Sequence, residues 1–177
     1  LGIGVSHAPL VEARAGRPYG RPMSVMTQYL DRLESAPNPV PRDELVLAAL
    51  GPRMLELARD RAAGAHPYLV NPRHTAMARS VLGPAPLLAP EQKVILETDP
   101  SAARRLGRAT LSTYLQLPNY ARNLLRIGYG PEDLQGGGSD RLVDGVMVWG
   151  DLDVIASRLQ AVSYTHLTLP TTYACRS

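Results

Sequence analysis

Short apolar runs alternate with amphipathic stretches along most of this chain. Residues 45–50 form a wholly apolar run of strand length, residues 66–70 and 94–98 form two largely apolar runs, and residues 1–5 resemble the end of another. An apolar run without polar alternation is typical of a strand that is covered on both faces. A proline and an amphipathic stretch follow every run except residues 1–5. The pattern therefore predicts consecutive βα units around a parallel sheet.

The amphipathic stretches carry recognisable helix signals. Pro22–Glu34 places its methionines and leucines on one face, which predicts a helix over this range. Asn71 and Asp99 are residue types that cap helix N-termini, and each precedes a proline, which suits the first helical position. The pattern predicts helices that run from these caps to Leu82 and to Leu117.

The remaining segments are predicted with fewer signals. Residues 6–21 contain glycine, proline and three arginines and are predicted to form a loop. Residues 119–127 predict a helix, and Ser139 and Asp151 are suited to cap two more. No strand is predicted beyond Leu117.

Consecutive βα units build either a (β/α)8 barrel or an open doubly wound sheet. An open sheet needs an N-terminal strand and a glycine-rich turn of its own, and more often ends on a strand. Residues 1–161 hold four predicted strands, half the number in a barrel. We therefore expect an α/β fold that is a partial (β/α)8 barrel without the first strands and the last. Residues 45–50, 68–70 and 94–98 are expected to be adjacent parallel strands.

The composition changes abruptly at Val162. Residues 162–177 contain no acidic residue and one basic residue, whereas the preceding chain is rich in both. The stretch 162–171 resembles a translated sequencing adapter, so we expect a non-native tail that packs against nothing, and a single domain over residues 1–161. The tail contains the only cysteine, Cys175.

The overall composition excludes several classes of function. The net charge is +3, and the basic residues form no block, so we expect no nucleic-acid partner. No apolar run approaches the length of a membrane span. One cysteine permits no disulfide within the chain, which favours the cytoplasm. We expect a small-molecule substrate, and a homodimer of the full-length protein remains open.

Ligands of parallel α/β folds lie at the carboxyl ends of the strands. This rule selects residues 4–7, 51–54, 71–74 and 99–100. In the first loop, Gly2 and Gly4 allow close approach of a flat ring or a phosphate, and Ser6 and His7 offer polar groups. The alternative is an ordinary turn with His7 solvated or capping a helix. His7 occupies the third glycine position of a dinucleotide fingerprint, so the loop is not one.

The second loop predicts an anion site. Gly51 separates a buried strand from a helix whose N-terminus presents free N–H groups and the positive end of its dipole. Arg53 adds a fork of donors. The alternative is an ordinary turn with a solvated arginine. Together, the two loops supply the candidate cofactor-binding residues Gly4, Ser6, His7, Gly51, Pro52, Arg53 and Met54.

Other candidates are weaker. His66 and His74 lie eight residues apart across a strand and a turn without a close third ligand, so no metal site is expected. Trp149 and Tyr120 are interpreted as core residues. No nucleophile–base motif or phosphate-binding P-loop occurs, and this favours chemistry carried by a cofactor. Catalytic residues cannot be assigned from these patterns.

Three stretches resemble the luciferase-like monooxygenase superfamily, and most closely its branch that depends on the deazaflavin coenzyme F420. They are residues 1–12 (LGIGVSHAPLVE), residues 48–58 (AALGPRMLELA) with the following GAH at 64–66, and residues 95–100 (ILETDP). The likeness extends over almost all of residues 1–161.

The resemblance implies a (β/α)8 barrel that binds F420 at its carboxyl face and transfers a hydride to or from a small organic substrate. Residues 2–7 would lie beside the ring system, and the turn of Gly51, Pro52 and Arg53 would hold the phosphate side. Some F420-dependent members carry a catalytic glutamate after the glycine pair, where this chain has Val5. An FMN-dependent monooxygenase on the same fold, and a non-catalytic barrel relative or inert fragment, remain the alternatives.

Overall fold

A computed structural model describes residues 1–16 and 18–166, the last five of them as backbone only. The strands are β1 (Gly2–Ile3), β2 (Val46–Leu47), β3 (Gly64–Ala65), β4 (Leu87–Leu88), β5 (Lys93–Leu96) and β6 (Met147–Gly150). The α-helices are α1 (Ala8–Ala15), α2 (Pro22–Glu34), α3 (Pro52–Arg61), α4 (Pro72–Leu82), α5 (Pro100–Leu115), α6 (Pro118–Arg126), α7 (Asp140–Val146) and α8 (Leu152–His166). Short 3-10 helices cover Arg42–Glu44 and Pro131–Gly137.

The strands pair in chain order, and all the pairs are parallel in the described part of the chain. One sheet has the order β1-β2-β3-β4, and β5 pairs with β6 in a second. Residues 89–92 join β4 directly to β5, and the ladder continues beside them, because Glu91 N donates to Pro67 O at 2.9 Å. The predicted α/β class with parallel strands is confirmed.

Local helix signals are confirmed closely. The helix predicted over Pro22–Glu34 has those bounds. The Asn71 side chain accepts a hydrogen bond from His74 N at 3.0 Å, and Asp99 Oδ1 accepts one from Ala102 N at 2.7 Å. Ser139 and Asp151 also cap helices as predicted. A capping side chain satisfies an N–H group that has no partner within the helix.

Replacing Asp99 by alanine is expected to lower the free energy of unfolding by about 1 kcal/mol, because the first turn of α5 loses its cap. Urea denaturation measures this value. Ser101→Ala is the matched control, since Ser101 is exposed in the same turn and its side chain does not cap the helix. Equal losses in the two variants would show that the cap contributes nothing specific.

The third predicted strand was wrong in its position. Residues 66–70 are not a strand, and the pairing residues are Gly64 and Ala65. Pro67 offers no N–H to a ladder, and Leu69 takes a positive φ of 52°, so an extended conformation cannot continue. The partner of this segment is β4 (Leu87–Leu88), which was not predicted, rather than residues 94–98.

The prediction that no strand follows Leu117 was also wrong. The helix capped by Ser139 ends at Val146, and residues 147–150 form β6, which pairs with β5 in register from Lys93↔Met147 to Leu96↔Gly150. Methionine, valine and tryptophan suit a half-buried strand as well as a helix, so pairing decides the outcome.

The predicted loop at residues 6–21 contains the helix α1 (Ala8–Ala15). Pro9 lies in its first turn, and the helix ends before Gly16, which has a φ of 59° and whose N–H donates to Glu12 O at 3.1 Å. A glycine in this left-handed conformation is a common helix end.

The predicted tail begins inside a helix. The α8 backbone continues from Leu152 through position 162 to His166, and residues 167–177 lie outside the described part. The prediction that residues 162–177 pack against nothing concerns side chains outside the described ones, and it stays a prediction.

Two buried clusters hold the fold together. The first lies between the four-stranded sheet and α2, α3 and α4 and includes Leu30, Leu47, Leu55 and Leu88. The second joins α5, α6 and α7 to β6 and includes Leu111, Leu124, Leu142 and Val143. It also receives Leu50 and Leu69, which follow β2 and β3, so α6 packs beside the carboxyl ends of the strands. No described helix has the length and hydrophobicity needed to cross a bilayer.

Candidate functional site

The loop after β1 combines small residues with backbone strain. A Cβ atom on Gly4 would lie 3.0 Å from Ala48 Cβ, and both residues are exposed. Two residues further on, Ser6 takes a φ of 59°, which is unusual for a residue with a side chain. Its carbonyl oxygen accepts a hydrogen bond from Tyr19 Oη at 3.0 Å. Such strain commonly marks a functional loop.

His7 is held at the carboxyl end of β1 by α6. Its Nδ1 lies 3.1 Å from Asn119 Oδ1, and its ring centroid lies 5.4 Å from that of Tyr120. The amide oxygen can only accept, so Nδ1 donates in this contact, and in the neutral imidazole Nε2 is then the acceptor. His7 precedes α1 but makes no capping hydrogen bond through its side chain, so it does not have the alternative role of a cap.

Tyr120 forms the inner wall beside His7. It is 7% exposed and belongs to the second buried cluster, which confirms its interpretation as a core residue. Burial raises its pKa to about 12, with further contributions from Tyr114, Glu91 and Tyr68. The phenol therefore stays neutral at physiological pH, and its ring packs against His7.

Lys93 lies beside this wall and is the only lysine of the chain. Its Nζ lies 2.7 Å from Glu91 Oε1 and 3.2 Å from Tyr114 Oη, and the Tyr114 ring packs edge-on against Tyr120 with centroids 4.9 Å apart. Burial lowers the pKa of Lys93, but the bonds to Glu91 and Tyr114 outweigh this effect and hold the pKa above its usual value. Glu91 Oε2 also accepts from Leu69 N at 3.3 Å.

The Gly51 turn has the geometry of a helix N-terminus. Met54 N and Leu55 N both donate to Gly51 O at 3.1 Å, and Pro52 begins α3. The N–H of Arg53 has no partner within the helix. The Arg53 side chain is exposed and makes no hydrogen bond or ion pair with any other described residue. Met54 packs against the first buried cluster instead of lining the loop.

A second arginine faces this turn. The Nη1 atom of Arg126, the last residue of α6, lies 3.7 Å from the point where a Cβ atom on Gly51 would stand. The sequence did not indicate this residue. Two arginines therefore flank the predicted anion site, Arg53 from within the helix and Arg126 from across it.

The two histidines of interest make separate contacts. His74 is fully buried, and its Nε2 donates to Leu50 O at 2.9 Å. His66 Nδ1 contacts Ala89 O, and its ring packs against Tyr68 with centroids 4.8 Å apart. Within the described residues, no group of three potential ligands could hold a metal ion.

The fourth predicted loop, residues 99–100, lies apart from the others. Asp99 caps α5, and its own N–H donates to Glu97 Oε1 at 2.9 Å. No described contact joins Asp99 to His7 or to the Gly51 turn. Trp149 is half-buried on β6, where its Nε1 donates to Asp144 Oδ1 at 2.9 Å, so it lies at the margin of the core.

Comparison with models of known protein families finds no match to this chain. A search of curated proteins likewise finds no relative. The resemblance to luciferase-like oxidoreductases therefore rests on the motif residues alone, and what it implies remains a prediction.

The buried state of His74 makes stability depend on pH. Burial lowers its pKa, and the nearby charge of Arg126 lowers it further against the opposing effect of the bond to Leu50. The folded protein thus holds His74 neutral, while the unfolded chain takes up a proton below about pH 6.5. The free energy of unfolding is expected to fall below that pH by at most about 1.4 kcal/mol per pH unit.

Urea denaturation between pH 7.5 and 5 measures this effect, with His74→Gln as the comparison. The variant is expected to be less stable at pH 7.5 but to lose less stability on acidification. Parallel pH profiles for the two proteins would contradict a neutral, buried His74.

Proposed function

We propose that this protein is an F420-dependent oxidoreductase that transfers a hydride between the deazaflavin and a small organic substrate. The observation that carries the proposal is the pairing of two features at the carboxyl ends of β1 and β2. One is the pair of small, exposed residues Gly4 and Ala48, which lie next to each other. The other is the helix N-terminus at Gly51, flanked by Arg53 and Arg126.

These features fit the two ends of such a cofactor. The small, exposed residues Gly4 and Ala48 leave room for a planar ring. A helix N-terminus with a free N–H and two arginines suits a phosphate group. The residue types at both ends therefore agree with the family resemblance.

We further propose that the parallel strands belong to a (β/α)8 barrel. Parallel sheets in α/β proteins are covered on both faces. On β5, however, Val94 is 49% and Leu96 68% exposed. Further βα units would cover these residues. An experimental structure with an antiparallel strand beside β1 or β6 would contradict the barrel.

Within this proposal, F420 supplies the hydride chemistry and the chain supplies binding and proton handling. Oxidation of a substrate alcohol to a carbonyl releases a hydride from carbon and a proton from oxygen. His7 is suited to take that proton at Nε2, because its Nδ1–H is already committed to Asn119. The Asn119 amide fixes the ring orientation, and the neutral phenol of Tyr120 limits access of water to one side of the imidazole.

Cofactor titration tests the proposal. F420 and FMN are each titrated into the protein, and binding is followed by the absorbance of the cofactor. Binding of F420 in preference to FMN is expected. Preference for FMN would instead support a flavin-dependent monooxygenase, and binding of neither would support a non-catalytic protein.

A further inference from the structure

The small residues Gly4 and Ala48 are bordered by the end of β3. Ala48 N donates to Ile3 O and His66 N donates to Leu47 O, both at 2.9 Å. With the register of the three strands, these bonds place Gly4, Ala48 and His66 side by side in one row. Residues in one row of a sheet project from the same face, so the His66 side chain borders the two small residues.

His66 and Tyr68 form an aromatic pair at this border. Their rings pack edge-on with centroids 4.8 Å apart, and Tyr68 is 38% exposed. The Nδ1 atom of His66 contacts the carbonyl oxygen of Ala89, which can only accept, so Nδ1 is the donor. In the neutral imidazole Nε2 is then an acceptor, and no other described residue donates to it. The pair therefore offers a ring surface and a hydrogen-bond acceptor to a ligand.

The turn that follows this pair is strained. Leu69 has a φ of 52°, and a bulky side chain in that region of backbone conformations is a true outlier. Such strain persists only where surrounding contacts enforce it, and it is concentrated at active sites and ligand-binding positions. The contacts that hold Leu69 also fix the position of Tyr68, the residue directly before it.

Glu91 and Lys93 supply those contacts. Glu91 N donates to Pro67 O at 2.9 Å, and Glu91 Oε2 accepts from Leu69 N at 3.3 Å. Glu91 thus holds the backbone on both sides of Tyr68. Its other carboxylate oxygen accepts from Lys93 Nζ at 2.7 Å. The two side chains are only 24% and 17% exposed, so salt screens this ion pair less than an exposed one.

Lys93 also connects the turn to the wall beside His7. Its Nζ lies 3.2 Å from Tyr114 Oη, and the Tyr114 ring packs edge-on against Tyr120. The Tyr120 ring in turn packs against His7. A continuous series of contacts therefore joins the turn after β3 to the loop after β1.

We propose that His66 and Tyr68 contact the substrate, and that Glu91 and Lys93 are positioning residues that act through Tyr68. The substrate that this arrangement fits is an aromatic alcohol with a hydroxyl group on its ring. Its ring packs against Tyr68, and its ring hydroxyl donates to His66 Nε2. That this compound is oxidised rests on the proposed function, whereas its binding to the aromatic pair does not.

NMR titration of the cofactor-free protein with 4-hydroxybenzyl alcohol tests the contact with Tyr68. Tyr68→Ala is expected to weaken binding by about tenfold through loss of ring packing, and Tyr68→Phe is expected to restore it to within about twofold. Tyr29→Ala is the matched control, because Tyr29 is 49% exposed on α2 and has no described contact with this pair. It is expected to leave the dissociation constant unchanged.

Two related probes separate the ring of the ligand from its hydroxyl group. Cyclohexylmethanol has no aromatic ring, so it is expected to bind more weakly than benzyl alcohol to the wild type but not to Tyr68→Ala. Benzyl alcohol lacks the ring hydroxyl and is expected to bind about fivefold more weakly than 4-hydroxybenzyl alcohol. His66→Phe keeps an aromatic ring but loses the acceptor, so it is expected to remove this fivefold difference.

A double-mutant cycle tests the positioning role of Lys93. Lys93→Met alone is expected to weaken binding of 4-hydroxybenzyl alcohol by about fivefold, but to have no further effect in Tyr68→Ala, because the two changes act on one contact. Circular dichroism and thermal unfolding establish that the variants fold. If Lys93→Met does not fold, Glu91→Gln replaces it, since glutamine keeps an acceptor for Leu69 N and loses the charge. Additive effects of the two changes would overturn the positioning role.

Binding and turnover together separate this inference from the proposed function. Absence of binding of 4-hydroxybenzyl alcohol, or equal dissociation constants for the wild type and Tyr68→Ala, would overturn the inference. Binding that depends on Tyr68 in a protein that does not bind F420 supports the aromatic site and contradicts the cofactor. Oxidation of the alcohol with F420 at rates unchanged in Tyr68→Ala and His66→Phe leaves the oxidoreductase proposal standing and overturns the inference.

Discussion

Replacing Gly64 by alanine is expected to destabilise the protein by about 3 kcal/mol or more, at the upper end of the range for overpacked positions. A Cβ atom on Gly64 would lie 1.9 Å from the carbonyl oxygen of Leu87 and 2.7 Å from its nitrogen. These are backbone atoms of the adjacent strand β4, so no side chain can move aside. The strands would have to separate, which breaks the bond from Leu87 N to Ala63 O at 2.8 Å.

Gly2→Ala is a closely matched control for this substitution. Gly2 pairs with Val46 in the same row of the sheet in which Val46 pairs with Gly64. A Cβ atom on Gly2 meets nothing within 4 Å, so alanine there is expected to be neutral or slightly stabilising. Denaturant titration of both variants measures the difference in the free energy of unfolding. A Gly64→Ala variant as stable as Gly2→Ala would show that β3 and β4 do not approach so closely.

The helices were predictable because their signals are local. Asp99 and Pro100 specify a helix start through a side-chain cap and a fixed φ, and neither depends on a distant residue. Gly16 gave a similar signal for the end of α1, but the surrounding glycine and proline residues favoured a loop in the sequence interpretation. A glycine that ends a helix in the left-handed conformation is a more specific signal than the glycine and proline content around it.

The strands were less predictable because pairing determines them. Residues 147–150 follow a helix without a break in hydrophobicity, and only the register with Lys93–Leu96 makes them extended. The two residues of β4 lie between Pro86 and Pro90, so their apolar run is too short to indicate a strand. Most of the strand order could be deduced, but the positions of β3, β4 and β6 could not.

The candidate site was predicted from the strand ends alone, and this prediction did not include the residues that α6 contributes. The rule for carboxyl ends selected His7 and Gly51, but Asn119 and Arg126 contact them from more than 70 residues away in the sequence. Such contacts leave no trace in local patterns. Lys93, by contrast, can be singled out from the sequence, because it is the only lysine among nineteen basic residues.

Replacing Arg53 by alanine is expected to weaken binding of F420 by about ten- to a hundredfold, which corresponds to about 1.5–3 kcal/mol for a charge-assisted hydrogen bond. Arg53 is exposed at the start of α3, where the free N–H groups and the helix dipole already favour an anion. Because the side chain has no described partner, its loss is expected to leave the thermal stability of the cofactor-free protein almost unchanged.

Titration of F420 and FMN into the wild type and Arg53→Ala measures the effect on both cofactors. Arg105→Ala is the control, because Arg105 is exposed on α5 and has no described contact with the Gly51 turn. Raised salt is expected to weaken wild-type binding more than binding to Arg53→Ala, since screening acts on the charge that the variant lacks. Equal dissociation constants for the wild type and Arg53→Ala would show that Arg53 is only solvated and that this turn does not bind the cofactor phosphate.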